Sequence, residues 1–352
     1  MKKEVPKKKL VIFLALSILL ISFTFYFYQI FFTANILVEK EDKLFVVPAG
    51  STFHAVQQEL IRGGYVNDIV SFSFVARLMN YDKRINPGRY LFRKNMNNRQ
   101  AVIALTSGRA EEVKVTFSYA RLISDLEKKI TANIGVTETE FRNALDHFIS
   151  NNEEGFTQDN ILTMFIPNTY MVYFNVIPED LIQRFNKEYH NFWTIERLDK
   201  ARSLGLTPIE VSILASIVQA EISKEEEGPI VAGLYLNRLK HDIPLQADPT
   251  LVFAAGDFTI KRVLNVHKEI DSPYNTYKYA GLPPGPINMP YISSIDAVLN
   301  HQKHNYLYMC AREDFSGYHN FSSTMEEHLK NAKRYQRALT AEQKKASRSN
   351  PN

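Results

Sequence analysis

The sequence predicts an α+β fold with a single N-terminal transmembrane helix, a small mixed domain and a larger mixed α+β domain. Three observations predict it: an uncharged apolar run over 10–32, a β-α-α-β pattern over about 43–108, and alternating helical and extended segments without internal repeat over about 112–335. The 352 residues leave room for about two ordinary domains. With 45% hydrophobic and 23% charged residues the chain can bury a substantial core, which excludes a disordered protein. The net charge of +4 is concentrated at the ends, in MKKEVPKKK and KKASRSNPN, so no basic stripe points to nucleic acid.

The run LVIFLALSILLISFTFYFYQIFF, Leu10 to Phe32, is long enough to cross the ~30 Å of a bilayer core. A cleavable signal would have a shorter apolar core ending in small residues. This run ends in aromatics, with only Thr33 and Ala34 as cleavage candidates, so an uncleaved anchor is expected. Lys2, Lys3, Lys7, Lys8 and Lys9 precede it, whereas Glu39, Glu41 and Asp42 follow among fewer lysines. The positive-inside bias then predicts a cytoplasmic tail at 1–9 and everything after Asn35 outside. The single cysteine, Cys310, cannot form an internal disulfide and reads as a small buried strand residue.

In the small domain a strand is expected at Leu44 to Val47. A helix follows, with Ser51 or Thr52 as N-cap and Phe53, Val56, Leu60 and Ile61 as its buried stripe. A second helix covers IVSFSFVARLMN, and Pro87-Gly88 turns the chain into a strand at Arg89 to Phe92. One more short helix stops at Gly108. Beyond it, EEVKVTF reads as a strand, ILTMFIPNTYMVYFN as a buried turn between extended pieces, and EDLIQRFNKEYHNFWTIERLDKARSLG as helices. Residues 336–352 read as a polar C-terminal tail.

The segment LTPIEVSILASIVQAEI opens with Thr207 as N-cap, Pro208 at the first helical position and Glu210 at the third. Ile213, Ile217 and Glu221 then recur every four residues, so Glu221 lies on the apolar face. Two readings follow. Glu221 is either a carboxyl at a frayed helix end reaching water, or an acid whose pKa is raised by apolar surroundings, as a general acid for glycosidic cleavage requires. Glu225, Glu226 and Glu227 read as a solvated connection whose charge favours the N-terminus of the next helix. Stiff polar loops follow: Gln246, Asp248 and Thr250 in LQADPT; Tyr274, Asn275, Thr276 and Tyr277 in SPYNTYKYAGLPPGPINMP; His319 and Asn320 in GYHNFSST. Amides, hydroxyls and rings in such loops suit a sugar, and they also suit a packed, turn-rich region. His267, His301, His304, His319 and His328 are scattered, so no metal site and no cofactor is expected.

Taken in order, ASIVQAEISKEEEGPIVAGLYLNRL, LQADPT, SPYNTYKYAGLPPGPINMP and YLYMCAREDFSGYHNFSST resemble the endolytic murein transglycosylases of the MltG (YceG-like) family. FVVPAGSTFHAVQQEL with NPGRYLF resembles its LysM-like domain, at 43–108, and FIPNTYMVY its Pro-Asp-Thr-Tyr segment; the catalytic domain would span 112–335. The chain departs from the pattern at Gln219, where many members have glutamate, and at Asn168, where aspartate is usual. The resemblance implies a membrane-anchored enzyme, its catalytic part on the periplasmic side of the inner membrane, working on peptidoglycan strands beside membrane-bound synthases. It implies cleavage between MurNAc and GlcNAc within the strand, with Glu221 as acid and then base to form 1,6-anhydro-MurNAc. Gln246, Asp248, Tyr274, Asn275, Thr276, His319 and Asn320 would line the pocket, and Glu227 would support them from behind. A lysozyme-type hydrolase, with Glu227 or Asp248 activating water, and a non-catalytic wall-binding protein are the competing expectations.

Overall fold

The computed structural model describes residues 7–37, 43–48, 50–107 and 112–349. Helix α1 (Lys7–Phe32) is the one helix among them long and apolar enough by itself to cross a membrane. Its large side chains from Leu10 to Phe27 are exposed, as suits a helix whose surroundings are lipid. The N-terminal helix thus fits single-pass anchoring.

Strand β1 (Lys43–Val47), helices α2 (Phe53–Arg62) and α3 (Ile69–Leu78), strand β2 (Gly88–Phe92) and helix α4 (Asn98–Thr106) follow. The strands pair antiparallel with Phe45 opposite Tyr90, and strand alternation turns Phe45, Val47, Tyr90 and Phe92 into one core. Thr52 caps α2 by accepting from the Ala55 N–H at 3.2 Å, and Val56 and Leu60 are buried beneath it. Ile61, expected in that stripe, is 58% exposed: one residue past Leu60 is a rotation of about 100°, which carries it to the solvent side. The expected stop at Gly108 lies outside the described residues.

The last turn of α1 enters this same core. Ile30, Phe31 and Ile36 are buried there, and Asn35, itself buried, donates to the Asp68 carbonyl at 2.8 Å while its own carbonyl oxygen accepts from the Asp68 N–H at 2.7 Å. Asn98 closes the junction, accepting from Asn35 at 2.5 Å and donating to the Ile30 carbonyl at 2.9 Å.

The chain continues through β3 (Glu112–Phe117), α5 (Ile123–Thr131), α6 (Glu138–Asn151), β4 (Asn168–Tyr173), α7 (Pro178–Phe192), α8 (Ile195–Ser203) and α9 (Pro208–Glu221). Then come α10 (Gly228–Lys240), α11 (Asp248–Ala255), α12 (Asn265–Lys268), α13 (Ile292–Leu299), β5 (Tyr308–Ala311), β6 (His319–Ser322) and α14 (Met325–Ser349). Three two-stranded sheets form among the described residues: β1–β2, β3–β4 and β5–β6. Two compact units result. The first holds the chain up to Lys114 with Asn133–Thr137 and Met171–Ile177; the second holds Val115–Ala132, Glu138–Tyr170 and the chain from Pro178 onward.

Three expectations change. Ile161–Met164 is a short, wholly buried 3-10 turn and not an extended piece, because β4 begins only at Asn168. Cys310 lies on β5 as expected but is only partly buried. The polar stretch at 336–349 is not a separate tail but the continuation of α14.

Candidate active site

Helix α9 is the core of the second unit. Its start is fixed by a capping box: Thr207 Oγ1 accepts from the Glu210 N–H at 3.2 Å and Glu210 Oε2 accepts from the Thr207 N–H at 2.8 Å. Every residue from Val211 to Val218 is buried, so the helix is apolar on all sides there rather than along one stripe, with α10, α11 and α13 packed against it. Glu221, the last helical residue, emerges from this buried rod at its carbonyl end, where the helix dipole opposes negative charge.

Two cavities meet at that point. One, of about 670 Å³, runs past Tyr119, Arg121, Val252, Phe253, Phe258 and Asn288; the other, of about 400 Å³, runs past Tyr235, Arg238, Gln246, Tyr277, Tyr308 and His319. Glu221 and Asp248 line both. Burial pushes the Glu221 carboxyl up to about 7; the hydrogen bond from Tyr235 opposes this, and the neighbouring charge of Asp248 adds to it. The Tyr235 hydroxyl, buried on α10, donates to Glu221 Oε1 at 2.9 Å. Tyr277 donates to Asp248 Oδ1 at 2.5 Å.

The surrounding loops are fixed by protein partners. Gln219 holds the proline-rich segment on α9: its amide donates to Asn288 Oδ1 at 3.0 Å and its oxygen accepts from the Tyr291 N–H at 2.5 Å. Arg238 donates to the carbonyls of Pro244, at 2.7 Å, and Leu307, at 2.7 Å, and to Gln246 Oε1 at 2.9 Å. Gly285 must lack a side chain, because a Cβ there would lie 1.9 Å from the Asp159 carbonyl oxygen.

Of the residues expected to line the pocket, Gln246, Asp248 and His319 border a cavity. Asn275 and Thr276 do not: both are buried behind the loops. Asn275 donates to the carbonyls of Lys268 and Ile270 at 2.9 and 2.8 Å, and Thr276 Oγ1 accepts from the Ala247 N–H at 3.0 Å. Their polar atoms are consumed in joining two loops. Tyr274 packs its ring 4.7 Å from that of Phe253, and Asn320 donates to Glu313 at 2.8 Å; neither lines either of these two cavities.

Glu227 departs from the solvated reading of its run and sits where the resemblance puts it, behind the pocket. Rather than being solvated it is 3% exposed, its two oxygens accepting from the His319 N–H and ring Nδ1, each at 2.8 Å. It therefore ties β6 to the start of α10 and stands behind His319. Reading the sequence missed Tyr235 and Arg238. The signal for Tyr235 is its place in GLYLNRL, one hydroxyl following the buried run Val231 to Leu234; the structure puts that hydroxyl on the one carboxyl of α9 that reaches the cavities.

A carboxyl that keeps its proton near neutrality can protonate a bridging oxygen, and two cavities meeting at it can hold the two sides of one extended substrate. Similarity to known proteins agrees with this class of enzyme. Residues 45–334 match the YceG-like family, and the chain belongs to that family. It is 27% identical over 326 residues to an endolytic murein transglycosylase of Bacillus subtilis, covering 85% of this chain and 87% of that one. It is 23% identical over 356 residues to an endolytic murein transglycosylase of Streptococcus pneumoniae, covering 91% of this chain and 63% of the relative, so it spans less than two thirds of that protein's length. The fold matches the crystal structure of a YceG-like protein from Listeria monocytogenes with a TM-score of 0.53 at 26% identity, covering 83% of this chain and 99% of that one.

Proposed function

We propose that the protein is a membrane-anchored endolytic lytic transglycosylase that cuts peptidoglycan between MurNAc and GlcNAc inside the strand. The observation that carries this reading is Glu221: a carboxyl held up to about 7 where two cavities meet. Protonated Glu221 gives its proton to the leaving oxygen as the C1–O bond breaks. The carboxylate so formed takes the proton of the MurNAc C6 hydroxyl, whose oxygen bonds to C1 and closes the 1,6-anhydro ring. Water is not consumed, and Glu221 ends as it began, so one carboxyl serves both steps. Tyr235 holds that carboxyl in one orientation throughout.

Asp248 gives a hydrolase reading its only foothold, because it lines both cavities with Glu221 and could activate water across the sugar. Mass spectrometry of products from purified peptidoglycan separates the two. Anhydro ends, each lighter by one water than a hydrolysis product, are expected, and reducing MurNAc ends would overturn the transglycosylase.

The cationic start of α1 favours an orientation with the catalytic unit outside the cytoplasmic membrane, near synthases that extrude new strands. The β-α-α-β unit is suited to a LysM-like role in contacting glycan. Protease added to spheroplasts should digest the bulk of the chain; protection would reverse the orientation.

A further inference from the structure

We infer that the larger cavity takes the MurNAc side of the cleaved bond, and that Arg121, Lys261 and Arg262 hold the acidic peptide attached to that sugar. The inference rests on the transglycosylase reading above. The two cavities that meet at Glu221 are chemically unlike. The larger combines an apolar wall, including Phe253, Phe258 and Ile260, with these three cations. The Arg121 guanidinium sits 4.4 Å from the centre of the Phe258 ring, which fixes it at the wall. None of the three has an ion-pair partner among the described residues. Of the two acids in the same cavity, Glu221 is raised to about 7 and Asp248 is engaged by Tyr277.

The smaller cavity offers no comparable charge. Its cation, Arg238, is 5% exposed and has its guanidinium committed to Pro244, Leu307 and Gln246. The His319 ring Nδ1 is bound to Glu227. An anionic group entering the smaller cavity would have to break those bonds, whereas in the larger one it meets three cations that have no ion-pair partner among the described residues.

Of the two sugars flanking the scissile bond, GlcNAc is uncharged, whereas MurNAc bears a lactyl-linked peptide with free carboxylates. The C6 hydroxyl that attacks C1 belongs to MurNAc too, so the sugar beside Glu221 and the acidic peptide must occupy the same side. Charge therefore sets the direction in which the strand crosses Glu221. Apolar stems of the peptide residues can lie on the apolar wall while their carboxylates meet the cations.

The test uses the full chain in detergent and two substrates: uncrosslinked glycan strands with their peptides, and the same strands stripped by an amidase. The unaltered enzyme should show kcat/KM about tenfold or more higher on the peptide-bearing strands, and salt should compress that ratio. In the Lys261→Gln/Arg262→Gln double variant the ratio should fall toward one, chiefly through KM on the peptide-bearing strands. Both side chains are exposed, so the variant should fold, and its thermal unfolding should match that of the unaltered chain. Anhydro products formed at equal rates from both substrates would overturn the inference alone. So would a double variant that slows both in proportion. Reducing ends, or no cleavage of either strand, would overturn the underlying reading as well.

Discussion

In the proposed mechanism Glu221 carries both the chemistry and a stability penalty in the same carboxyl. Its pKa is raised from an ordinary carboxylate value to about 7, so between those limits the native state holds a proton that the unfolded chain releases. Stability therefore falls as pH rises from about 4.5 to about 7, and the loss is complete above that range. Glu221→Gln removes the titration. The variant should be more stable than the unaltered protein at pH 8, by about 1–3 kcal/mol at most given the carboxyl's partial access to cavity water, and close to it at pH 4. Urea unfolding at the two pH values checks this; a difference that is the same at both would contradict it. Cleavage should drop by ~10²–10⁴ in this variant, and in the unaltered enzyme it should decline as pH rises through about 7. Tyr235→Phe removes a hydrogen bond that favours the charged carboxylate. Its alkaline limb should shift to higher pH, with kcat reduced about 5–30-fold. An unshifted limb would mean that Tyr235 acts only in packing.

Between the elements, the site depends on joints that hold loops to helices. Glu227 joins α10 to β6 through both of its oxygens, and it is buried. Glu227→Ala should cost about 3–5 kcal/mol, because it strands two buried donors of His319 and leaves a void. Chemical denaturation would measure it; a loss below ~1 kcal/mol would return Glu227 to the solvated role its neighbours have. Such joints are where the sequence was least legible. The start of α9 was readable because Thr207, Pro208 and Glu210 make local contacts at fixed spacing. The pairing of Thr276 with Thr250, at 2.8 Å, spans 26 residues and leaves no period to detect. Asn275 and Thr276 read as sugar contacts for that reason: a buried amide closing a loop and an amide facing a ligand are the same letter. Glu227 is hidden in the opposite sense: a run of three glutamates looks solvated whichever one turns inward, and only the resemblance puts this one behind the pocket. Tyr235 stayed hidden among apolar neighbours because a tyrosine on a buried helix is compatible with plain packing.

For the molecule as a whole, the apolar run at 10–32 and the β-α-α-β order were legible because each depends on local period and length. The junction between them was not. Asn35 and Ile36 bear no motif, yet Asn35 bonds to Asp68 and Asn98 while Ile36 bridges to Val66. A first-unit fragment beginning at residue 43 should therefore be less stable than one beginning at residue 29 by at least about 2 kcal/mol, from the buried Ile30, Phe31 and Ile36 and the lost hydrogen bonds. Equal urea midpoints would show that the junction adds nothing. The same junction also determines how the anchor behaves mechanically. A span joined to its domain by a loose linker is a leash, letting the domain wander over a radius set by linker length. Here the helix ends inside the core it carries, with Ile30 and Phe31 as part of that core, and so acts as a stalk. On the anchored reading proposed above, the first unit can turn with the helix and drift in the plane of the lipid, but it cannot lean out toward distant, older wall. On the glycan-contacting role proposed above, the glycan has to come to it, and the glycan that does so is the strand still lying against the membrane.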